Sequence, residues 1–530
     1  MEKLYLKPNV LIEPLVNRWY AWSYLLPPPA ASMYLVNSHL KILRSFISAP
    51  QVHISALKNP KMRGGPFINY DASRVNDIKA LTGKTVEEQS DLIAMAEAIK
   101  SLDETLARES DGTSLELLYQ KIPDALKGYV ELTYDLNHKP SVRFIEGLLY
   151  RSRYYKPSSQ SIALSLIEED DRFFAFSTPR LEEKNRLNLD IPFNHDGLDE
   201  LTRMSYSPRP LPAIKEMLGL GKSSELLFDS FFTNRPVSSS DTYKDDAVRI
   251  RYFGHACVLV ECNGSSLLTD PLISCDIGKG KDRYTYDDLP ERINVAVITH
   301  HHQDHCVLET LLRLRSRIDT LVVPRSNGSG LVDPSLKRAL ENIGFQNVVE
   351  IDEFETIRFG SQSVTGLPFL GEHGDLSIRT KMAYLVNAGK RSIMFAADSN
   401  NLDPKLYDHI HELTGDLDII FLGMECDGAP MSWVYGPLFS GPVARSLDQS
   451  RRLDGSDCKK ALSIIDRLKP KQVYVYAMGH EPWLTFITSI RYTSESRPIV
   501  ESEKLLQLCK SRGIESERLF GKKEIFLSAF

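Results

Sequence analysis

The spacing of apolar residues divides the chain into two parts with different predicted structures. In the first part, apolar positions with the 3.6-residue helical period alternate with short runs typical of strands. The helical patterns cover residues 33–48, 86–108 and 114–127, and the strand patterns cover residues 129–136, 142–145 and 173–176. Three prolines at 27–29 predict an extended connection before the first helix. Residues 1–240 are therefore predicted to form an α+β domain.

The second part, residues 247–530, opens with strand patterns and then alternates strands with helices. The strand patterns cover residues 248–252, 257–261, 266–269, 295–298, 321–323, 348–351, 356–359, 363–367, 381–386, 392–396, 418–422 and 472–476. The helical patterns cover residues 306–317, 334–343, 404–413, 457–468 and 502–511. This order predicts an α/β domain in which two mixed sheets pack between helices. The turn-rich segment 233–241 is the expected linker between the two parts.

The composition is that of an ordinary globular protein. A chain of 530 residues is long for one core, which favours two domains. The net charge of -6 argues against general nucleic-acid binding, which requires a basic excess. No apolar run is long enough to cross a membrane, and the first residues lack the apolar stretch of a signal peptide. We therefore expect a cytoplasmic protein without a membrane partner.

One stretch concentrates candidate metal ligands directly after a predicted buried strand. The sequence His-His-His-Gln-Asp-His at 300–305 contains the pattern H-x-H-x-D-H. In an extended segment His300 and His302 point to one side and His301 to the other, so two imidazoles converge on one ion. As the chain turns into the helix, Asp304 and His305 come to face a second ion. The spacing predicts a dinuclear metal site at the end of a strand.

Further residues with suitable chemistry follow other predicted strands. They are Asp270, Glu372, His373, Asp398, Glu425 and His480. Glu372 and His373 are adjacent, and neighbouring residues of an extended segment face opposite ways, so we expect only one of them to reach an ion. The register favours Glu372.

The order of these motifs resembles that of the dinuclear metallo-β-lactamase superfamily, which implies an αββα sandwich. The resemblance becomes more specific with the sequences MECDGAP at 424–430 and SWVYGP at 432–437 and with the large domain before the motifs. Together they are similar to the diiron β-hydroxylases of chloramphenicol biosynthesis and their relatives in nonribosomal peptide clusters. This resemblance implies an O2-dependent monooxygenase that hydroxylates the β-carbon of an aminoacyl group. The aminoacyl group would be held as a phosphopantetheine thioester on a carrier domain of the synthetase, and an external reductant would supply electrons.

The resemblance also implies roles for individual residues. One iron would be held by His300, His302 and Glu372, and the other by Asp304, His305 and His480, with Asp398 between the two. Glu425 would control how Glu372 coordinates, and Asp270 would orient a ligand imidazole by accepting its free N–H. For Glu425, a structural ion pair at the sheet edge is an equally open interpretation.

The segment between residues 423 and 455 is rich in Gly, Pro and aromatic residues and lies between two ligand-bearing strands. Long ordered loops beside a site often have a function. We expect Met431, Trp433 and Tyr435 to help form the wall of the substrate pocket, with core packing under the loop as the alternative.

Two functions from different classes remain open at this point. The first is the diiron hydroxylase, and the second is a dinuclear zinc hydrolase of a thioester, lactone or phosphodiester. A glutamate at 372, where the hydrolases carry histidine, makes the site richer in oxygen and favours iron over zinc. The first domain is expected to serve in homodimerisation or in carrier recognition.

Overall fold

The structure, a computed structural model, describes residues 3–236, 240–278, 282–328 and 330–528. Its first part combines a four-stranded antiparallel sheet with helices, in the strand order β3-β2-β6-β7. The strands of this part are β1 (Tyr5–Leu6), β2 (Val10–Val16), β3 (Trp19–Tyr20), β4 (Val130–Tyr134), β5 (Pro140–Phe144), β6 (Gln160–Leu166), β7 (Arg186–Leu189) and β8 (Phe232–Thr233). The helices are α1 (Pro28–Tyr34), α2 (Leu40–Ser48), α3 (Pro50–Leu57), α4 (Val75–Glu88), α5 (Ser90–Glu109), α6 (Glu146–Leu149), α7 (Asp196–Arg203), α8 (Leu211–Met217) and α9 (Glu225–Asp229).

The first long helix begins earlier than its apolar pattern indicates. Pro28 and Pro29 occupy the first turn of α1, where proline is tolerated because the missing N–H has no partner inside the helix. The expected extended connection at 27–29 is therefore wrong for these two residues. A π-helical turn, Leu35–His39, joins α1 to α2. Such turns shift the faces of a helix and are frequent at functional sites.

The second part contains two seven-stranded sheets. The first has the strand order β14-β13-β12-β11-β10-β9-β22 and the second has the order β15-β16-β17-β18-β19-β20-β21. The strands are β9 (Val248–Gly254), β10 (Cys257–Cys262), β11 (Ser265–Thr269), β12 (Ile293–Val297), β13 (Ile318–Pro324), β14 (Val348–Ile351), β15 (Thr356–Phe359), β16 (Gln362–Leu367), β17 (Ala383–Ala388), β18 (Arg391–Phe395), β19 (Ile419–Gly423), β20 (Gln472–Tyr476), β21 (Glu515–Arg518) and β22 (Lys523–Leu527). The helices are α10 (Leu308–Leu314), α11 (Leu336–Asn342), α12 (Pro404–Thr414), α13 (Ser432–Tyr435), α14 (Arg445–Ser450), α15 (Cys458–Leu468), α16 (Thr485–Thr488) and α17 (Arg497–Ser511).

Alternation along the central strands explains the layers. In β12, Val295 and Val297 pack in the core between the two sheets, whereas Ala296 faces the opposite core, which includes α10 and α11. In β18, Phe395 faces the core between the sheets and Met394 faces the core beneath α12 and α15. Each sheet is thus covered on both faces, which confirms the αββα prediction.

The first part packs on the outer side of the first sheet, within one continuous apolar cluster. A buried ion-pair network also joins the two parts, because Arg172 contacts both Glu13 of β2 and Glu309 of α10, at 2.9 and 2.8 Å. The first part is therefore in direct contact with the elements that carry the candidate site.

Some predicted elements differ from the structure. Residues 115–121 form a 3-10 helix in place of the expected α-helix over 114–127. The expected strand 173–176 is irregular and ends in a 3-10 turn at Ala175–Ser177. Residues 237–239 of the expected linker lie outside the described residues, so its boundaries stay a prediction. Among the described residues, no helix has the length and apolarity of a membrane span.

Candidate metal centre

The candidate ligands meet at the carboxyl edge of the two central sheets. Strands β11 and β12 run parallel, as do β18, β19 and β20, and each is followed by one of the predicted residues. The two sheets approach each other here, since the Met382 amide donates a hydrogen bond to the Thr299 carbonyl at 2.7 Å. Parallel strands bring their carboxyl ends to the same edge, so residues far apart in sequence converge.

The first group consists of His300, His302 and Glu372, whose ligand atoms lie within 4.8 Å of one another. His302 Nδ1 is 2.5 Å from Glu372 Oε1, and His300 Nε2 is 3.2 Å from Glu372 Oε2. All three side chains are buried. The arrangement places two imidazole nitrogens and one carboxylate around a common point.

The second group consists of His300, His305 and Asp398. His305 Nε2 is 2.9 Å from Asp398 Oδ2, and its Nδ1 is 2.8 Å from Asp270 Oδ2. Asp270 is fully buried and also accepts hydrogen bonds from the Thr299 amide at 2.7 Å and its hydroxyl at 2.6 Å. Asp270 therefore fixes the ring of His305 and leaves Nε2 facing Asp398.

A third group contains a histidine that the sequence interpretation missed. His255 lies in the turn between β9 and β10, and its Nε2 is 3.3 Å from Asp304 Oδ2, with His305 close by. It is buried and has a positive φ of 51°. In the sequence, the only indication of this site residue is that a histidine follows Gly254 between two predicted strands. His480 belongs to none of these groups among the described residues, so its ligand role stays a prediction.

The loop that carries Glu372 is not a strand. Gly371, Glu372 and Gly374 all have positive φ, at 81°, 68° and 58°. The strand rule of alternation does not apply to such a turn, and the expectation that Glu372 and His373 face opposite ways is wrong. Both side chains are buried at the site, and His373 Nε2 lies 3.4 Å from Glu372 Oε2.

Tyr435 connects the two histidines beside Glu372. Its hydroxyl is 2.7 Å from His302 Nε2 and 2.6 Å from His373 Nδ1. A hydroxyl has one proton, so it accepts from one ring and donates to the other. With His302 Nδ1 turned to Glu372, the consistent assignment is that His302 Nε2 donates to Tyr435, which donates to His373 Nδ1. His373 then carries its proton on Nε2, which has no hydrogen-bond partner among the described residues.

Several atoms that face the centre are buried and have no hydrogen-bond partner among the described residues. They are His255 Nε2, His300 Nε2, His305 Nε2, Glu372 Oε2 and Asp398 Oδ1. Buried polar atoms are rarely left in this state, and convergent nitrogen and carboxylate oxygen atoms are the donors that iron and zinc accept. The residues present therefore fit a pair of metal ions.

The buried carboxylates and imidazoles of the site shift one another's pKa values. Burial would raise the pKa of Glu372, but the surrounding imidazoles, His300 first, hold it well below its usual range. Burial would lower the pKa of His305, whereas Asp398 and Asp270 raise it well above its usual range. For Glu425, which follows β19, burial and then the Asp398 carboxylate raise the pKa well above its usual range. The control of Glu372 by Glu425 stays a prediction.

Gly423, at the end of β19, shows how closely the strands approach here. A Cβ at this position would lie 2.9 Å from Asp398 Oδ1 and 2.5 Å from the Ala397 carbonyl. Any side chain would displace Asp398, so this position requires glycine.

An aromatic cavity of about 260 Å³ adjoins the ligand motif. Its lining residues include Trp19, Tyr20, Trp22, Tyr34, Phe174, Phe176, Trp433 and Gln303. Gln303 lies between two motif residues and is buried, and its Oε1 has no partner among the described residues. Of the three residues expected to form the pocket wall, Trp433 lines this cavity, whereas Met431 and Tyr435 are not among its lining residues. Met431 packs in the core instead.

The first part of the chain supplies most of this cavity and also contacts the ligand motif. Ser23 donates to the His301 carbonyl at 2.8 Å, and Tyr24 hydrogen-bonds with His301 Nε2. Because the Tyr24 hydroxyl donates to the Val332 carbonyl at 2.6 Å, His301 is the donor in their bond. His301 thus points away from the metal groups.

Comparison with known proteins covers both parts. Residues 5–236 match the family model described as the diiron non-heme β-hydroxylase N-terminal domain, and residues 249–428 match a β-lactamase superfamily domain. The chain is 39% identical, over 98% of its length and 99% of the relative's, to the 4-amino-L-phenylalanyl-[CmlP-peptidyl-carrier-protein] 3-hydroxylase of Streptomyces venezuelae. A metal-dependent hydrolase of Methanopyrus kandleri is 25% identical over 31% of this chain and 68% of that protein.

Among solved structures, the crystal structure of CmlA, a diiron β-hydroxylase from Streptomyces venezuelae, superposes with a TM-score of 0.94 at 39% identity. The alignment covers 99% of this chain and 100% of that one. The likeness to the Methanopyrus kandleri hydrolase covers 31% of this chain, whereas the likeness to the hydroxylase extends over nearly the whole chain. This chain belongs to the diiron non-heme β-hydroxylases, enzymes that hold two iron ions and use O2.

Proposed function

We propose that this enzyme hydroxylates the β-carbon of an aminoacyl group while that group is tethered to a peptidyl-carrier domain. The observation that carries the proposal is the full-length similarity to a 3-hydroxylase whose substrate is bound to a carrier protein. The aromatic cavity lined by Gln303, beside the ligand motif in the sequence, is a candidate site for such a substrate. The alternative function, thioester hydrolysis by two zinc ions, is not supported by a comparable similarity over the first part of the chain.

The cavity favours an aromatic side chain on the aminoacyl group. Its walls carry aromatic rings from both domains, with Trp22 and Phe176 at 5.8 Å and Phe174 and Trp433 at 6.2 Å between ring centroids. Such walls bind planar apolar groups by stacking and edge-to-face contacts. The proposed substrate is therefore an aromatic aminoacyl thioester.

We propose that the first metal is held by His300, His302 and Glu372, and the second by His305, Asp304 and either His480 or His255, with Asp398 between the ions. Iron bound there supplies O2 activation and the oxidising power for attack on a C–H bond. The protein's own residues set the geometry around it: Asp270 keeps His305 Nδ1 protonated, and Tyr435 does the same for His302 Nε2. We further propose that an external donor supplies electrons to the irons and that the enzyme forms a homodimer.

The His373 side chain has a positioning role in this scheme. It accepts a hydrogen bond from the Tyr435 hydroxyl that also holds His302, and its Nε2 lies 3.4 Å from Glu372 Oε2 without occupying a ligand position. Burial holds the pKa of His373 well below its usual range, so the ring is neutral.

Intact-mass analysis of an aminoacyl-carrier protein tests the reaction. After incubation with the iron-loaded enzyme, a reductant and labelled O2, the carrier should gain one labelled oxygen atom. His305→Ala should abolish the gain, whereas His411→Ala, at a partly exposed histidine on α12, should retain it. Release of the aminoacyl group with no gain of oxygen would instead identify a hydrolase.

A further inference from the structure

The aromatic cavity continues into a second, outer cavity of about 700 Å³. The two share five lining residues: Ser38, Ile42, Pro66, Ser432 and Pro437. The inner cavity ends at Gln303, within the ligand motif, and the outer one contains the side chains of Lys41 and Lys100. The two cavities together therefore form a path from Gln303, which lies between the proposed ligands His302 and Asp304 in the sequence, to Lys41 and Lys100.

The helix formed by α1, the π-helical turn and α2 runs along this path. Tyr34 lines the inner cavity, Ser38 lines both, and Lys41 and Ser45 line the outer one. Ser45 lies eleven positions after Tyr34, which corresponds to about 16 Å along a helix. The π-helical turn, which contains Ser38 and His39, sets the face that this helix presents to the cavity.

The two domains close over the path together. Trp433 Nε1 donates to the Gly64 carbonyl at 3.1 Å, and Asn37 Nδ2 donates to the Pro437 carbonyl at 2.8 Å. These bonds join the first domain to the loop after β19, so the walls are formed by contacts between domains. The path therefore lies at the interface between the two domains.

The charge at the outer end is positive. Lys41 is exposed, and within the described part of the chain its ammonium group has no ion pair. Lys100 contacts Glu97, whose side chain is 61% exposed, so solvent screens that pair. Asp448 also lines the outer cavity, but its two oxygens accept hydrogen bonds from the Ser432 amide and hydroxyl, at 2.9 and 2.8 Å. The two lysines are thus available to an anion.

We propose that this path holds the phosphopantetheine arm of the carrier domain and that Lys41 and Lys100 bind its phosphodiester. The inference rests on the proposed function, since it takes the substrate to be carrier-tethered. The aminoacyl group occupies the aromatic inner cavity, where the unpartnered Oε1 of Gln303 accepts a hydrogen bond from its α-amino group, and the pantetheine part of the arm extends through the outer cavity. Lysine is a common point-charge ligand for phosphate.

A binding assay tests the phosphate site independently of hydroxylation. Calorimetry on the iron-loaded enzyme compares phosphopantetheine with pantetheine, which lacks the phosphate. The wild type should bind the phosphorylated compound roughly tenfold more tightly, as expected for a hydrogen bond to a charged group. The double variant K41A/K100A should lose this preference, and Lys58→Ala, at an exposed lysine outside both cavities, should keep it.

Two outcomes would overturn the inference. One is an equal affinity of the wild-type enzyme for the two compounds. The other is an unchanged preference in the double variant together with a raised KM for the carrier substrate, which would assign the lysines to the carrier's protein surface. A phosphate preference without any oxygen transfer to the aminoacyl group would support this site and refute the proposed reaction, so the two failures are distinguishable.

Discussion

Replacing Asp270 by asparagine should weaken iron binding without removing any metal ligand. The carboxylate is fully buried and accepts three hydrogen bonds, two from Thr299 and one from His305 Nδ1. Asparagine offers one acceptor oxygen, so its NH2 group must face a donor. If that group faces Nδ1, His305 must move its proton to Nε2, the atom that faces the ions.

The expected magnitude follows from the one charge-assisted bond that is lost. Such a bond contributes about 1.5–3 kcal/mol, which corresponds to a roughly 10- to 150-fold weaker metal affinity. Outer hydrogen-bond partners of metal-bound histidines have effects of about this size. Competition with a chelator measures the affinity, and elemental analysis gives the iron content per chain.

Asp416→Asn is the matched control. Asp416 also contacts a histidine, His411, at 2.7 Å, but its side chain is 63% exposed and lies outside the site. This variant should bind iron as the wild type does. A folded Asp270→Asn protein with an iron affinity within twofold of the wild-type value would refute the claim that Asp270 sets the orientation of His305.

The remaining predictions concern metal choice, acid stability and the cavity. Glu372→His should raise the ratio of zinc to iron in protein made without added metal. His373→Ala should leave two metals bound. Metal loss in His373→Ala with no change of metal in Glu372→His would show that His373, and not Glu372, is the ligand. Glu13→Gln should destabilise the fold by about 3–5 kcal/mol in urea denaturation, since it removes one partner of a buried pair with Arg180. Burial would raise the pKa of Glu13, but Arg180 and Arg172 together outweigh this effect and lower that pKa. The stabilisation should therefore be full above about pH 4.5, the unfolded value, and decline as the pH falls; an equal cost at every pH would contradict this. Trp433→Ala should raise KM for the carrier substrate severalfold with little change in kcat, and an unchanged KM would show that the cavity wall does not bind substrate.

Much of the second domain could be predicted from the sequence because its signals are local. Strands buried on both faces appear as apolar runs, and in a parallel arrangement the residues after them converge at one edge. Asp270, His300 and Asp398 could be placed at the site by this rule alone. The αββα arrangement followed from the alternation of strands and helices.

The rest of the site depends on features that have no local signal. The position of Glu372 and His373 depends on a turn with positive φ, where the alternation of strand residues does not hold. His255 reaches Asp304 only because the turn between two strands folds over the motif. The aromatic cavity is formed by residues from two domains, at least 126 positions apart in sequence. The cavity therefore exists only where the two domains are in contact, and the sequence alone does not show that contact.

Anomalous diffraction from crystals of the iron-loaded enzyme locates and identifies each metal ion. We expect two peaks at the iron edge, one among His300, His302 and Glu372 and one beside His305 and Asp304, with Asp398 between them. Peaks at the zinc edge alone in protein supplied with both metals, or an iron peak remote from Glu372, would contradict this assignment.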